Sequence, residues 1–154
     1  AQEILPAVQD VPVFVAGGIG RGEAIVSYLE MGASGVQLGT RFVCAKECVA
    51  HADFKSAFIK AEAKDAVLST QMDPRFPVIP VRALANDGPA EIQLEIEHFW
   101  AGALRRAVVE GDVSSGSVMA GQSVGMVTRE QTVKEILAEL AEQALSALSA
   151  RNAA

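Results

Sequence analysis

The spacing of apolar and polar residues over about the first forty positions predicts one parallel strand–helix–strand unit. Residues 11–16 (VPVFVA) have no polar position, as is typical of a parallel strand that is buried on both faces. A glycine-dense turn follows at 17–22. The pattern then predicts a helix that begins near Glu23 and stops at Gly32 in a left-handed conformation. A second short strand is predicted at 35–38, so the two strands should pair in parallel.

The middle of the chain is predicted to hold two helices separated by an irregular segment. Residues 41–64 read as helical, with Phe54, Phe58 and Ala61 on one stripe. Residues 65–90 are predicted to be irregular because prolines interrupt them repeatedly. The second helix has apolar positions at spacings of three and four, namely Ile92, Ile96, Phe99, Trp100, Ala103 and Ala107.

The last part of the chain is predicted to be a glycine- and serine-rich loop over 111–127, followed by a long helix. Thr128 and Gln131 match a capping box, which predicts that the helix begins there. Its apolar positions are Val133, Ile136, Leu137, Leu140, Ala144 and Leu148. The order of elements as a whole predicts an α/β protein.

Composition and charge exclude several classes of protein. Half of the residues are hydrophobic and 21% are charged, which argues against a disordered chain. The net charge is −6 and the densest basic cluster is the pair Arg105 and Arg106, so we expect no nucleic-acid partner and no membrane surface. No apolar run approaches the ~18 residues of a membrane span, and no signal peptide is predicted. The two cysteines are typical of reduced thiols in a cytoplasmic protein.

The amino terminus and the length suggest a piece of a larger protein. The chain opens at Ala1 rather than Met, within what reads as the end of a helix formed by Ile4, Leu5 and Val8. Natural domains seldom begin at such a point, so we expect a fragment, a processed chain or a truncated one. The 154 residues are also fewer than the roughly 200 that a closed (β/α)₈ barrel needs.

Two glycine loops carry the strongest chemical signal. Gly17 and Gly18 follow the first predicted strand, and Gly39 and Thr40 follow the second. Backbone N–H groups can approach a phosphate closely where there is no Cβ, and the carboxyl ends of two parallel strands meet at one sheet edge. The sequence therefore predicts a phosphate site at this edge, as barrels often build after strands 7 and 8. The alternative is that the glycines only permit tight turns.

Several longer stretches resemble a known family. VFVAGGIGRGEAI, LEMGASGVQLGTRFV, ECVAHADFKSAFIKA, PVRALAN and ALRRAVVEGDVSSGSVMAGQSVGMV are similar to the C-terminal half of nitronate monooxygenases, formerly called 2-nitropropane dioxygenases. That family shares its fold with the FMN-dependent enoyl-ACP reductases. The resemblance implies the C-terminal part of a (β/α)₈ TIM barrel, about strands 7–8 plus a helical extension. Residues 1–64 would form the barrel units with the FMN phosphate loops. Residues 65–154 would form an irregular segment, the helical extension and an active-site loop of the same domain.

The resemblance also implies cofactor-binding residues. Gly17 and Gly18 match the family's strand-7 phosphate loop. Gln37, Gly39 and Thr40 match its strand-8 loop, which also surrounds the FMN phosphate. These five residues are the expected FMN contacts in this chain.

A third motif matches the family's active-site loop near the flavin, with Met119, Gly121 and Gln122 as its expected members. We expect this loop to be ordered over bound flavin. The segment 20–22 (GRG) stands where Ala-Asp-Gly is common in the family, which leaves its backbone role intact. The family's catalytic histidine, on an upstream Gly-Gly-His segment, has no counterpart here, so no catalytic residue is expected in this chain.

The expected function follows from the resemblance. It implies an FMN-dependent oxidoreductase similar to nitronate monooxygenases. This chain would be only the flavin-phosphate-binding C-terminal part of it and would be inactive alone. Reduction of an enoyl-ACP with NAD(P)H is the alternative reaction, and a non-catalytic phosphate-binding or assembly module is the alternative class. The expected partners are the remaining N-terminal barrel segment and a small organic substrate or NAD(P)H. Assembly into a homo-oligomer is left open.

Other candidate residues favour structural roles. Cys44, Cys48 and His51 are spaced as on one helix face and could ligate a metal, but a closed site wants a fourth ligand, so no metal is expected. His98 would suit a general base, yet its apolar neighbours favour a packed structural histidine. Arg82 follows a proline-containing extended run and is a weaker phosphate candidate.

The first strand predicts a need for a partner. It is apolar on both faces, and its sheet partner within the chain is the short strand at 35–38. Two parallel strands leave open edges and apolar faces that the available helices cover only in part. Unless the rest of a barrel is present, we expect Val13, Val15 and Val36 to face solvent.

Overall fold

The computed structural model describes residues 1–8, 10–68, 81–85 and 102–153. Within these residues the chain is a mixed α/β structure, as predicted. Four of the predicted positions of the second helix (Ile92, Ile96, Phe99, Trp100) and the candidate base His98 lie outside the described residues.

The amino-terminal part forms the predicted strand–helix–strand unit. A short helix, α1 (Ile4–Ala7), precedes strand β1 (Phe14–Ala16), helix α2 (Gly22–Glu30) and strand β2 (Gly35–Gln37). β1 and β2 pair in parallel, with Val15 opposite Val36. Gly32 adopts the left-handed conformation (φ 98°) and ends α2, as predicted. β1 has three residues rather than the six of the apolar run.

The prediction of one helix over 41–64 is wrong. A 3₁₀ turn (Thr40–Phe42) is followed by turns, and helix α3 occupies only Ala52–Lys60. The reason is tertiary, because the Lys46 N–H donates to the Gln131 carbonyl (2.8 Å) and takes this backbone out of a helix. The Nδ1 atom of His51 accepts from the Asp53 N–H (3.2 Å) and starts α3.

Two strands lie where the sequence predicted irregular structure. β3 (Ala66–Leu68) and β4 (Arg82–Leu84) pair antiparallel, after a 3₁₀ turn at Ala63–Asp65. β4 also bonds the segment 118–120, because the Leu84 N–H donates to the Val118 carbonyl (2.9 Å). β3 and β4 have only three residues each, so their formation depends on hydrogen bonds to distant partners. The local sequence pattern therefore does not predict them. Neither strand pairs with β1 or β2.

Helices α4 (Ala103–Glu110) and α5 (Val133–Asn152) complete the described elements, with a 3₁₀ helix (Gln122–Met126) inside the predicted loop. The predicted capping box at Thr128 and Gln131 is wrong. Thr132 caps α5 instead, with its Oγ1 accepting from the Glu135 N–H (3.2 Å). Gln131 is buried, and its side chain bonds Arg41 and Glu139.

The main core joins the two halves of the chain. Phe54 and Phe58 of α3 are buried, as their spacing predicted, and their rings lie 5.0 Å apart. They pack in one cluster with Val118, Val124 and Val127 from the later loop. A second cluster is formed by Ala45, Ile136 and Leu140. The main core thus packs the later loop against α3.

β1 remains partly uncovered, and its need for a partner stays a prediction. Val11 and Phe14 are 60% and 63% exposed, whereas Val13, Val15 and Val36 are half-buried rather than fully exposed. Among the described residues, β1 and β2 pair only with each other. No helix of the described part is both long and apolar enough to cross a membrane.

Candidate functional site

The loop after β1 has the backbone that its glycines predicted. Gly17 and Gly18 have φ angles of 93° and 72°, in the region that favours glycine. The position that a Cβ would occupy at either residue is open, with no heavy atom within 4 Å. Gly20 differs, because a Cβ there would lie 2.6 Å from the sulfur of Met126. The first half of the loop therefore borders open space, and the second half packs on the 3₁₀ helix.

The loop after β2 lies beside the loop after β1. Gly39 has no heavy atom within 4 Å of its Cβ position. The Oγ1 atom of Thr40 accepts a hydrogen bond from the Gly121 N–H (3.0 Å). A Cβ at Gly121 would lie 3.3 Å from this oxygen and 3.9 Å from the Gly18 nitrogen. The structure thus brings all three predicted loops together at one place.

A cleft of about 390 Å³ opens at this meeting point. Its lining consists of residues from both halves of the chain, namely Gly39, Thr40, Val43, Arg82, Met119, Ala120 and Gly121. One of the seven is a cation and none is a carboxylate, although the chain carries a net charge of −6. The local charge therefore favours an anion.

Two backbone donors near the cleft have no acceptor within the part of the chain that the structure describes. Among the described residues, no hydrogen-bond acceptor takes the N–H of Gly18 or of Gly39. Backbone N–H groups that are left open in this way are the usual ligands of a bound phosphate.

The position of Arg82 makes it a stronger candidate for phosphate binding than its sequence context predicted. It lies at the start of β4, where its carbonyl accepts from the Ala120 N–H (3.1 Å). Its Nη1 atom donates to the Ala66 carbonyl (2.6 Å), which fixes the half-buried guanidinium at the cleft. No sequence signal located it there, because its position depends on pairing between β4 and the segment 118–120.

The other predicted site residues lie at the margin. Gln37 ends β2, pairs with Ala16 and is exposed, outside the cleft lining. Gly17 and Gly18 also lie outside the lining, although the Gly18 nitrogen is 3.9 Å from the Cβ position of Gly121, which does line the cleft. Gln122 is exposed at the start of its 3₁₀ helix. Met119 lines the cleft and is 40% exposed. The roles of these residues as flavin contacts remain predictions.

The cysteines and His51 do not share a helix face. Cys44 and Cys48 lie in the turns before α3, and His51 caps that helix. Burial raises the pKa of the Cys44 thiol to about 11, and its Sγ contacts the Lys55 carbonyl (3.5 Å). No group of three or more metal-ligating side chains occurs in the described part of the chain.

A network of polar side chains, which no local sequence pattern predicts, lies behind the two loops. Arg41, the residue after Thr40, is 3% exposed, and its Nη2 atom contacts Gln131 Oε1 (3.0 Å) and Glu139 Oε2 (3.2 Å). The hydrogen bond from Gln131 and the charge of Arg41 hold the pKa of Glu139 below its usual value. One turn along α5, Gln143 Oε1 accepts from the Gly22 N–H (2.9 Å). The sequence offers no specific signal for this network, because Glu135, Glu139 and Gln143 repeat every four residues as polar positions on an exposed helix face also do.

A family model and a curated relative are both described as nitronate monooxygenase. A family model described as nitronate monooxygenase matches residues 2–143. A probable nitronate monooxygenase of Bacillus subtilis (strain 168) is 26% identical over 152 residues, covering 91% of this chain and 43% of that protein.

Two solved structures share the fold over nearly the whole chain. FabK from Thermotoga maritima has a TM-score of 0.86 and 31% identity, covering 99% of this chain and 50% of that one. Nitroalkane oxidase from Streptomyces ansochromogenes has a TM-score of 0.72 and 29% identity, covering 97% and 43%.

The chain spans half or less of the length of these proteins. The family model nevertheless covers most of the chain, including all three loops at the cleft. The chain therefore belongs to the nitronate monooxygenase family, a family of oxidoreductase enzymes.

Proposed function

We propose that this chain forms the phosphate-binding part of an FMN site in a flavin-dependent oxidoreductase that oxidises nitronates. The observation that carries the proposal is the cleft lined by the loop after β2, next to the loop after β1, with Arg82 on its wall and no carboxylate in its lining. The family membership supports the reaction class.

The residues at the cleft fit a phosphate group. Among the described residues the N–H groups of Gly18 and Gly39 have no acceptor, and no heavy atom lies within 4 Å of either Cβ position. In the proposal they bind the phosphate oxygens together with Thr40, and the guanidinium of Arg82 balances the phosphate charge. A carboxylate in the lining would oppose such a dianion, and none is present there.

In this proposal the flavin and the protein have separate roles. Bound flavin would supply the redox chemistry, and this chain's residues would hold and orient it. We propose that the remaining strands of a (β/α)₈ barrel complete the site and supply the catalytic residue. They would also cover the apolar surface at Val11 and Phe14, which this chain leaves exposed.

Two readouts separate the candidate reactions. The same motifs resemble enoyl-ACP reductases, so NAD(P)H oxidation with an enoyl thioester is the second candidate. Nitronate-dependent oxygen uptake by the complete protein would support the first candidate, and enoyl-dependent NAD(P)H oxidation the second. A colourless protein that binds inorganic phosphate with no preference for FMN would favour a non-catalytic module.

Gly39→Ala tests the phosphate site without disturbing the fold. Gly39 has an ordinary φ of −102° and open space at its Cβ position, so alanine should not destabilise the chain. The new methyl group would lie where the phosphate approaches. We expect FMN affinity in the complete protein to fall roughly 10- to 100-fold, as for a lost hydrogen bond to a charged group, while riboflavin affinity stays constant.

Gly32→Ala is the control. It also adds a methyl group in open space, at the far end of α2, but at a left-handed backbone position (φ 98°), so it should destabilise the chain more than Gly39→Ala does and still leave both affinities unchanged. Equal affinity of the parent protein for FMN and riboflavin would refute the phosphate site. So would an unchanged FMN affinity in the Gly39→Ala variant.

A further inference from the structure

We propose that α5 sets the spacing of the two phosphate loops through Glu139 and Gln143, which act as positioning residues. The inference rests on the proposed phosphate site. It goes beyond that site because neither residue lines the cleft, and both act from behind it.

Gln143 holds the end of the first loop. Its Oε1 atom accepts from the N–H of Gly22, the first residue of α2, at 2.9 Å. That N–H belongs to the first turn of α2, whose donors have no partner within the helix. The side chain of Gln143 is therefore the cap of α2, supplied by another helix. It fixes where the loop after β1 ends.

Glu139 holds the start of the segment after the second loop. Its Oε2 atom lies 3.2 Å from Nη2 of Arg41, which directly follows Thr40. It also accepts from Gln131 Nε2 (2.8 Å), whose own Oε1 accepts from Arg41 (3.0 Å). Arg41 is 3% exposed, so its charge depends on this carboxylate for compensation.

Gln143 and Glu139 are also joined to each other across one turn of α5. Gln143 Nε2 donates to Glu139 Oε1 (3.3 Å), so a continuous chain of polar contacts runs from Gly22 to Arg41. Residues four apart lie on the same face of a helix. Both side chains therefore reach the two loops from one turn of α5.

The opposite end of α2 is also tied to α5. Arg151 contacts Ser27 Oγ (3.1 Å) and forms an ion pair with Glu30. Because α2 is held at both ends, a change at Gln143 acts on the end that carries the phosphate loop. The arrangement predicts an effect on phosphate binding rather than on flavin binding in general.

The test compares FMN and riboflavin binding by the complete protein that contains this chain. Glu139→Gln removes the charge that compensates Arg41, and Gln143→Met removes the acceptor for Gly22. For each variant we expect the FMN dissociation constant to rise about tenfold, within the usual range of coupling between sites. The riboflavin dissociation constant should stay within about twofold. Glu142→Gln, an exposed change on the same helix, is the control and should alter neither value.

Three results would overturn the inference or its basis. An unchanged ratio of FMN to riboflavin affinity in both variants would refute a positioning role. Equal losses for both ligands would show a structural role alone. If these variants do not fold, Gln143→Asn keeps the amide group on a shorter side chain. The ratio of FMN to riboflavin affinity in that variant then tests the positioning role. Equal binding of FMN and riboflavin by the parent protein would instead refute the proposed phosphate site.

Discussion

Gly22→Ala is a sharp test of how closely α2 packs on α5. A Cβ at Gly22 would contact the Leu140 carbonyl, and it would lie 2.5 Å from the Ala144 nitrogen and 2.8 Å from the Gln143 Cβ. Two of these atoms belong to the backbone of α5, so a rotamer change cannot relieve the overlap. Ordinary contact begins at 3.4 Å, so the Ala144 contact alone requires the helices to separate by about 0.9 Å, and the closer Leu140 carbonyl requires more.

That separation has a calculable cost. Overpacking of this kind costs about 1–3 kcal/mol. The Gly22–Gln143 hydrogen bond of 2.9 Å would stretch beyond 3.5 Å and be lost, which adds about 0.5–1.5 kcal/mol. We therefore expect the free energy of unfolding to fall by about 2–4 kcal/mol.

Urea denaturation of the complete protein, followed by circular dichroism, measures this loss. Gly32→Ala is the control, because its Cβ position is open and its cost comes from the left-handed backbone alone, about 1–2 kcal/mol. If Gly22→Ala costs no more than Gly32→Ala, the close packing of α2 on α5 is refuted.

Three further predictions concern α5 and the thiols. Thr132→Ala should lower the free energy of unfolding by about 1 kcal/mol in urea titrations, whereas Thr128→Ala should have little effect; equal losses would contradict the cap. Iodoacetamide at neutral pH should alkylate Cys48 and spare Cys44, whose pKa is raised to about 11 by burial; peptide mass spectrometry reads this out, and rapid labelling of Cys44 would contradict it. The pKa of Glu139 is lowered on folding, so its stabilisation is present above the ordinary value of 4.5 and is lost as the pH falls through the folded value. In the Glu139→Gln variant, the free energy of unfolding should therefore fall less steeply as the pH drops below 4.5. An unchanged slope in this acid range would contradict the prediction.

The parts of the fold that could be predicted are those with local causes. An apolar run, a glycine turn and a left-handed stop at Gly32 lie within one short stretch, and β1, α2 and β2 formed accordingly. The glycine loops at Gly18 and Gly39 were located for the same reason.

The parts that could not be predicted depend on distant partners. Arg82 reaches the cleft because β4 bonds Ala120, and Arg41 is paired with Gln131, 90 positions away. Thr128 and Thr132 both begin a capping-box pattern, and burial of the Gln131 side chain decides between them. No local pattern carries that information.

A crystal structure of the complete protein with bound FMN would show where the phosphate binds. We expect the phosphate to lie in the cleft, with the N–H groups of Gly18 and Gly39 and the guanidinium of Arg82 in hydrogen-bond contact with its oxygens. A phosphate bound elsewhere, with this cleft filled by protein side chains or solvent, would contradict it.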